Sequence, residues 1–120
     1  MVHRILVIED NKDILLPLTD ILEVFGGYEV TGLQDGAAIW DIITTNPPKL
    51  ILMDIMLGDN DGRRICNEVK SNKETAHIPV ILFSAMGTFV KLEDTDHGPD
   101  EFFEKPFDMY LLLEKVKKYV

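Results

Sequence analysis

Short apolar runs alternate along this chain with longer segments whose apolar positions recur at helical spacing, and the two periods predict different elements. Ile5-Leu6-Val7-Ile8, Leu50-Ile51-Leu52-Met53 and Ile78-Pro79-Val80-Ile81-Leu82-Phe83 are near-continuous apolar runs bounded by polar residues, the pattern of strands buried on both faces. Strands are predicted at 4–9, 28–32, 49–53, 78–83 and 101–104. Between them, Asp13 to Phe25 carries Ile14, Leu15, Leu18, Ile21, Leu22 and Phe25 on one helical stripe and stops at Gly26-Gly27. Pro17 lies just past its first turn and predicts a late start or a slight bend. Residues 36–46 bring Ala37, Ala38, Ile39, Trp40, Ile42 and Ile43 before Asn46-Pro47-Pro48 ends them. Gly62 to Lys70 and Asp108 to Val120 complete the clear helices. Residues 85–98 are the weak link: Gly87, Thr88, Val90 and His97-Gly98-Pro99 allow only a short or mobile helix.

Strands that alternate with helices in this way predict an α/β fold, a parallel sheet covered by helices on both faces. At 120 residues and 46% hydrophobic content, residues 1–120 read as a single domain with an adequate core. No apolar stretch is long enough to cross a bilayer, and only four apolar residues follow Met1 to Arg4, so no secretory signal is expected and the chain reads as soluble and cytoplasmic. A formal net charge of −9 argues against a grip on nucleic acid and points to proteins or cations as partners. Cys66 is the one cysteine, so there is no internal disulfide.

The chemistry collects at the strand ends. The first strand runs into Glu9-Asp10, the third into Asp54, the fourth into Ser84 and the fifth into Lys105-Pro106. In a parallel sheet these ends share one edge, where open α/β sheets place their ligand sites. Three crowded carboxylates repel, at about 4 kcal/mol per pair ~4 Å apart in an effective dielectric of 20. A cation relieves that, and an all-oxygen donor set without His or Cys selects Mg²⁺, with Mn²⁺ as the alternative, over zinc. A metal beside a carboxylate and opposite a lysine suits bringing an anionic phosphoryl group to an anionic nucleophile, which makes Asp54 the candidate acceptor.

Glu9-Asp10-Asn11, Asp54-Ile55-Met56-Leu57 with Asp61-Gly62, Ser84-Ala85, and Phe102 through Lys105-Pro106-Phe107 together resemble, in order and spacing, the receiver domain of two-component response regulators. The resemblance implies a doubly wound, flavodoxin-like fold with five strands in the order 2-1-3-4-5. It implies phosphotransfer to Asp54 from a sensor histidine kinase or a phosphotransfer protein. Asp10, Asp54 and the main-chain carbonyl of Met56 would bind Mg²⁺, with Glu9 acting through water. Lys105 would pair with the acceptor and then with the phosphoryl oxygen. Ser84 would move to hydrogen-bond the phosphoryl group and Phe102 would turn inward behind it, changing a protein-binding surface formed by residues 85–98, the last strand and the last helix. A downstream protein, a fused effector domain or a phosphorylation-dependent homodimer would read that change. Such a domain is a signalling phosphoacceptor rather than an enzyme.

Three residues depart from the family pattern. Gly58 stands where proline is frequent and predicts a looser loop, Phe102 replaces a common tyrosine, and Pro99 a common alanine. Single residues admit other readings. Glu9-Asp10-Asn11 alone could open a helix as caps; Ser84 alone reads as a turn residue and Lys105 alone as a solvated charge. Phe102 reads equally as core. Asp59, Asp61, Gly62 and Glu68 approximate a calcium loop, but Leu57 then occupies its first ligand position. Asp61 reads better as a cap for the third helix. Cys66 and Trp40 read as structural, and His3, His77 and His97 are scattered. A phosphorelay intermediate is one alternative. An aspartyl-phosphate phosphohydrolase is another, but it needs an Asp where Met56 stands. A flavodoxin-like cofactor site is disfavoured because Glu9-Asp10 would repel a phosphate.

Overall fold

The computed structural model describes residues 3–58, 60–85, 98–105 and 108–120. Its elements are β1 (Arg4–Ile8), α1 (Lys12–Val24), β2 (Glu29–Leu33), α2 (Ile39–Thr45), β3 (Leu50–Asp54), β4 (Met56–Leu57), β5 (Asn60–Asp61), α3 (Gly62–Ser71), β6 (Val80–Ala85), β7 (Glu101–Lys105) and α4 (Met109–Tyr119). Five strands form a parallel sheet in the order β2-β1-β3-β6-β7, and β4 with β5 makes a separate antiparallel ribbon. With that ribbon set aside, the sheet has the predicted 2-1-3-4-5 order.

The pleat divides each strand between two cores. Leu6, Ile8, Ile51, Met53, Val80 and Leu82 pack with Ile39 and Ile43 of α2 and Ile65, Cys66 and Val69 of α3. Ile5, Val7, Leu50, Leu52, Ile81, Phe83 and Phe103 pack on the other side with Leu15, Leu18 and Leu22 of α1 and Leu112 and Val116 of α4. Alternate side chains of every inner strand are therefore apolar in both directions, which is why those runs are continuous in sequence.

Several boundaries differ from expectation for identifiable reasons. α1 begins at Lys12, earlier than predicted, because the Asn11 side chain accepts the Asp13 N–H at 2.9 Å and caps the first turn; Pro17 sits inside the helix. α2 begins at Ile39 rather than 36, since Asp35 instead takes the Ala37 N–H at 2.9 Å in a turn and Ala38 has no side chain to cap with. The fourth strand of the sheet is Val80–Ala85 rather than 78–83, which puts Ser84 inside the strand. Its register is pinned by Asp100, whose Oδ2 accepts the Val80 N–H at 2.8 Å and whose own N–H bonds the Val80 carbonyl at 2.8 Å. Asp61 caps α3 as expected, accepting the Arg63 N–H at 2.9 Å. After Asp54, Met56 pairs with Asp61 and Leu57 with Asn60, and Gly58 takes a left-handed φ of 60°. The predicted short segment at 85–98 lies outside the described residues from 86 to 97.

Candidate functional site

Strand pleat decides which of the predicted residues meet. Counting by twos from the α1/α4 side, Ile5 and Val7 lead to Glu9, Leu50 and Leu52 to Asp54, and Phe103 to Lys105. Those three charged groups therefore project to one side of the carboxyl edge. Leu82 leads instead to Ser84 on the α2/α3 side, in the same direction as Phe102, its strand neighbour by register.

The contacts follow that division. Lys105 Nζ donates to Glu9 Oε1 at 2.6 Å and to Asp54 Oδ2 at 2.7 Å, and lies 5.2 Å from the centroid of the Phe83 ring. Asp54 Oδ1 accepts the Met56 N–H at 2.9 Å, so the Asp54 carboxylate is held at both oxygens. Glu9 is 0% exposed and Asp54 4%, whereas Asp10 and the Met56 side chain face solvent. Asn11, not Glu9 or Asp10, does the capping of α1. That leaves both acids for the pocket.

Ser84 makes no hydrogen bond to these groups: it is fully buried, and its Oγ has no hydrogen-bond partner among the described residues. Phe102 is half-buried against the α2/α3 core. The charged groups are in contact with one another, and Ser84 makes no hydrogen bond to them among the described residues.

Electrostatics reflect the crowding. Burial pushes the Glu9 carboxyl up to about 7, and the neighbouring Asp54 and Asp10 carboxylates add to this while Lys105 pulls the other way without cancelling it. For Lys105, burial favours the neutral amine, but hydrogen bonds to Asp54 and Glu9 outweigh it and hold the ammonium above its ordinary range.

Glu9, Asp10 and Asp54 each offer an oxygen, and these atoms lie within 4.8 Å of one another. Hard oxygen donors at this spacing fit Mg²⁺ or Mn²⁺. Two close contacts, one beside the site and one far from it, had no clear sequence signal. Gly62 abuts the Asp54 carbonyl and donates its N–H to Ile55 O at 2.7 Å, closing the loop that carries Met56. At the opposite edge, Lys70 Nζ bonds Asp100 Oδ2 and Ile78 O, each at 2.8 Å, and Ala76 O at 3.3 Å.

Among the described residues, no helix is long and apolar enough to cross a membrane. The response regulator receiver domain family matches residues 5–117. A DNA-binding dual master transcriptional regulator, RpaA of Synechocystis sp. (strain ATCC 27184 / PCC 6803 / Kazusa), is 34% identical over 115 residues, covering 95% of this chain and 47% of that protein. The chain thus spans about half the length of this curated relative. A putative response regulator from Chloroflexus aurantiacus J-10-fl superposes with a TM-score of 0.86 at 25% identity, covering 99% of this chain and 98% of the other. A CheY-like response regulator receiver domain protein from Methanospirillum hungatei JF-1 gives 0.84 at 28% identity, covering 98% and 93%. With the sheet order, the acidic edge and the family match in agreement, the chain belongs to the response regulator receiver domain family, the phosphoacceptor signalling domains of two-component systems.

Proposed function

We propose that Asp54 accepts a phosphoryl group from a sensor histidine kinase or a phosphotransfer protein and that the aspartyl phosphate resets a protein-binding face. The observation that carries this reading is the buried Asp54 carboxylate, held between the Met56 N–H and Lys105 at the carboxyl edge of the sheet. In the transfer, an Asp54 oxygen forms a bond to phosphorus as the donor's N–P bond breaks and its electron pair returns to the imidazole nitrogen. The two fixed contacts orient the nucleophile, and Lys105 supplies positive charge for the phosphoryl oxygens. Glu9, Asp10, Asp54 and the main-chain carbonyl of Met56 would hold Mg²⁺, or Mn²⁺ in its place. The ion supplies the charge that lets an anionic donor approach an anionic acceptor.

Ser84 has the property a phosphoryl-sensing residue needs: a buried hydroxyl with an unspent hydrogen bond. Its movement toward the phosphoryl group would vacate space on the α2/α3 side, where Phe102 can follow inward. Output then runs through a downstream protein, a fused effector domain or a second phosphorylated copy. The net charge of −9 speaks against direct nucleic-acid binding by these 120 residues.

The test mixes the protein with Mg²⁺ and a small acyl phosphate. One acid-stable, base-labile phosphoryl group is expected on the wild type and none on Asp54→Asn. Unchanged labelling of the variant overturns the assignment.

A further inference from the structure

The amino edge of the sheet, opposite the acids, carries a cleft of about 370 Å³. Pro48 and Lys49 line it from the segment before β3, and His77, Ile78 and Pro79 from the segment before β6; Tyr119 of α4 completes it. Pro48 and Ile78 are buried, so the lining includes a fixed apolar surface. Both segments are tied down by backbone hydrogen bonds. The Lys49 N–H donates to Arg4 O at 2.8 Å, the Ile51 N–H to Pro79 O at 3.0 Å and the Ile78 N–H to Thr75 O at 3.0 Å. With the two prolines also fixed in φ, the walls are formed before any ligand arrives, and little ordering has to accompany binding.

Charge on this cleft is unevenly matched. The Tyr119 hydroxyl lies 3.0 Å from Glu101 Oε1 and 3.2 Å from the Asp100 carbonyl oxygen. Those two acids already have cations: Asp100 takes Lys70 at 2.8 Å, and Glu101 takes Lys115 at 3.5 Å and Lys118 at 3.4 Å. Lys49 and His77 are exposed, and neither has an ion-pair partner among the described residues. On a chain of net charge −9, an apolar cleft is thus bordered by an uncompensated ammonium and by an imidazole with a ring N–H to donate.

We propose that this cleft binds a small aromatic carboxylate, its ring against Pro48, Ile78, Pro79 and Tyr119 and its carboxylate on Lys49 Nζ and the His77 ring. The two halves of the lining select the two halves of the ligand. An anion without a ring leaves the apolar surface unused, and a ring without an anion leaves Lys49 unmatched. The volume sits near the lower end of the ~300–1,000 Å³ range of ligand pockets, which favours a single ring over a nucleotide. The inference does not rest on the phosphoacceptor reading, because the cleft lies at the edge opposite Asp54 and its test contains no phosphoryl donor.

The test is a ¹H–¹⁵N NMR titration of the 120-residue chain with sodium benzoate, beside sodium acetate and benzyl alcohol. Benzoate is expected to shift the amides of Lys49, His77, Ile78 and Tyr119 saturably, with Kd on the order of 1 mM, the scale open to a ligand of one ring. Acetate and benzyl alcohol should each bind about tenfold more weakly. Lys49→Met should weaken benzoate by about tenfold and leave benzyl alcohol unchanged, which separates a lost charge from a damaged cleft. Benzoate shifts that remain linear far above 1 mM, or that map to another part of the chain, overturn the proposal. Benzyl alcohol binding as tightly as benzoate, or Lys49→Met keeping the wild-type benzoate affinity, overturns it equally.

Discussion

Gly62 lies against the main-chain carbonyl oxygen of Asp54 so closely that a Cβ at this position would collide with it and would also stand 3.0 Å from the Ile55 Cα. Both obstacles are backbone, so neither can swing aside as a side-chain tip would. The first residue of α3 is thereby pressed onto the last residue of β3. Asp61, which caps that helix, also receives Arg63 Nε at 3.1 Å and a second guanidinium nitrogen at 2.8 Å.

Gly62→Ala should therefore move the acceptor loop rather than merely loosen the helix. The expected stability loss is about 1–3 kcal/mol, typical of overpacking against an unyielding wall. Phosphoryl uptake from an acyl phosphate, measured well below the melting temperature, should fall as well, because Asp54 and Met56 shift together. A variant that melts earlier but is labelled at the wild-type rate would make the close approach structural only.

The parts of this arrangement visible in sequence are those with a local cause. Asp54 stands out because it ends a strand buried on both faces, and Lys105 because it ends another. The close approach of Gly62 has no such signal, since a glycine at a helix start commonly serves a turn. Likewise, Glu9 could be placed at the edge from the run before it, but its contact with Lys105 spans 96 positions and depends on pleat direction in two strands. The same pleat turns Ser84 toward the α2/α3 side, and a shift of the strand from 78–83 to Val80–Ala85 puts it inside the strand. The late start suggested by Pro17 does not occur, because cap chemistry at Asn11 decides where α1 begins.

Burial holds the Glu9 carboxyl at about 7, above its ordinary value of 4.5, so the fold favours the proton-bound form. That contribution to stability is fully present below pH 4.5, fades as pH rises, and is lost above about 7. In a metal chelator, the melting temperature of the wild type should fall relative to that of Glu9→Gln across this window. Added Mg²⁺ should offset the fall, since it favours the ionised carboxylate. A wild-type minus variant difference that stays flat with pH would place the Glu9 titration elsewhere.

Lys70 joins the end of α3 to the turn before β6 and, through Asp100, to the starts of β6 and β7. Its side chain is only 12% exposed. Lys70→Met keeps the apolar stem and removes the charged hydrogen bonds, leaving two carbonyls and a carboxylate to find other partners. The expected cost is about 2–3 kcal/mol in denaturant unfolding. Mg²⁺ affinity should be preserved, because the clamp lies at the edge opposite the acids. A loss under about 0.5 kcal/mol, the size of an ordinary surface change, would mean that water replaces the ammonium without penalty.

A phosphoryl group on Asp54 should be long-lived. Met56 fixes the acceptor through its backbone N–H, yet its side chain is 61% exposed beside the site. In receiver domains the residue two positions beyond the acceptor flanks the attacking water. A thioether can neither orient that water nor take its proton. The corresponding residue two positions beyond Ser84 is Met86, which lies outside the described residues. Slow autodephosphorylation is therefore expected. Met56→Asn or Met56→Glu should hasten phosphate release, on the order of tenfold, by giving the water a polar partner. Both variants should still take up phosphoryl groups, because the N–H to Asp54 belongs to the backbone and survives the change. Phosphate release from purified phosphoproteins reads the rate directly. An equal or slower rate in the polar variants would mean that access of water to phosphorus, rather than its orientation, sets the lifetime.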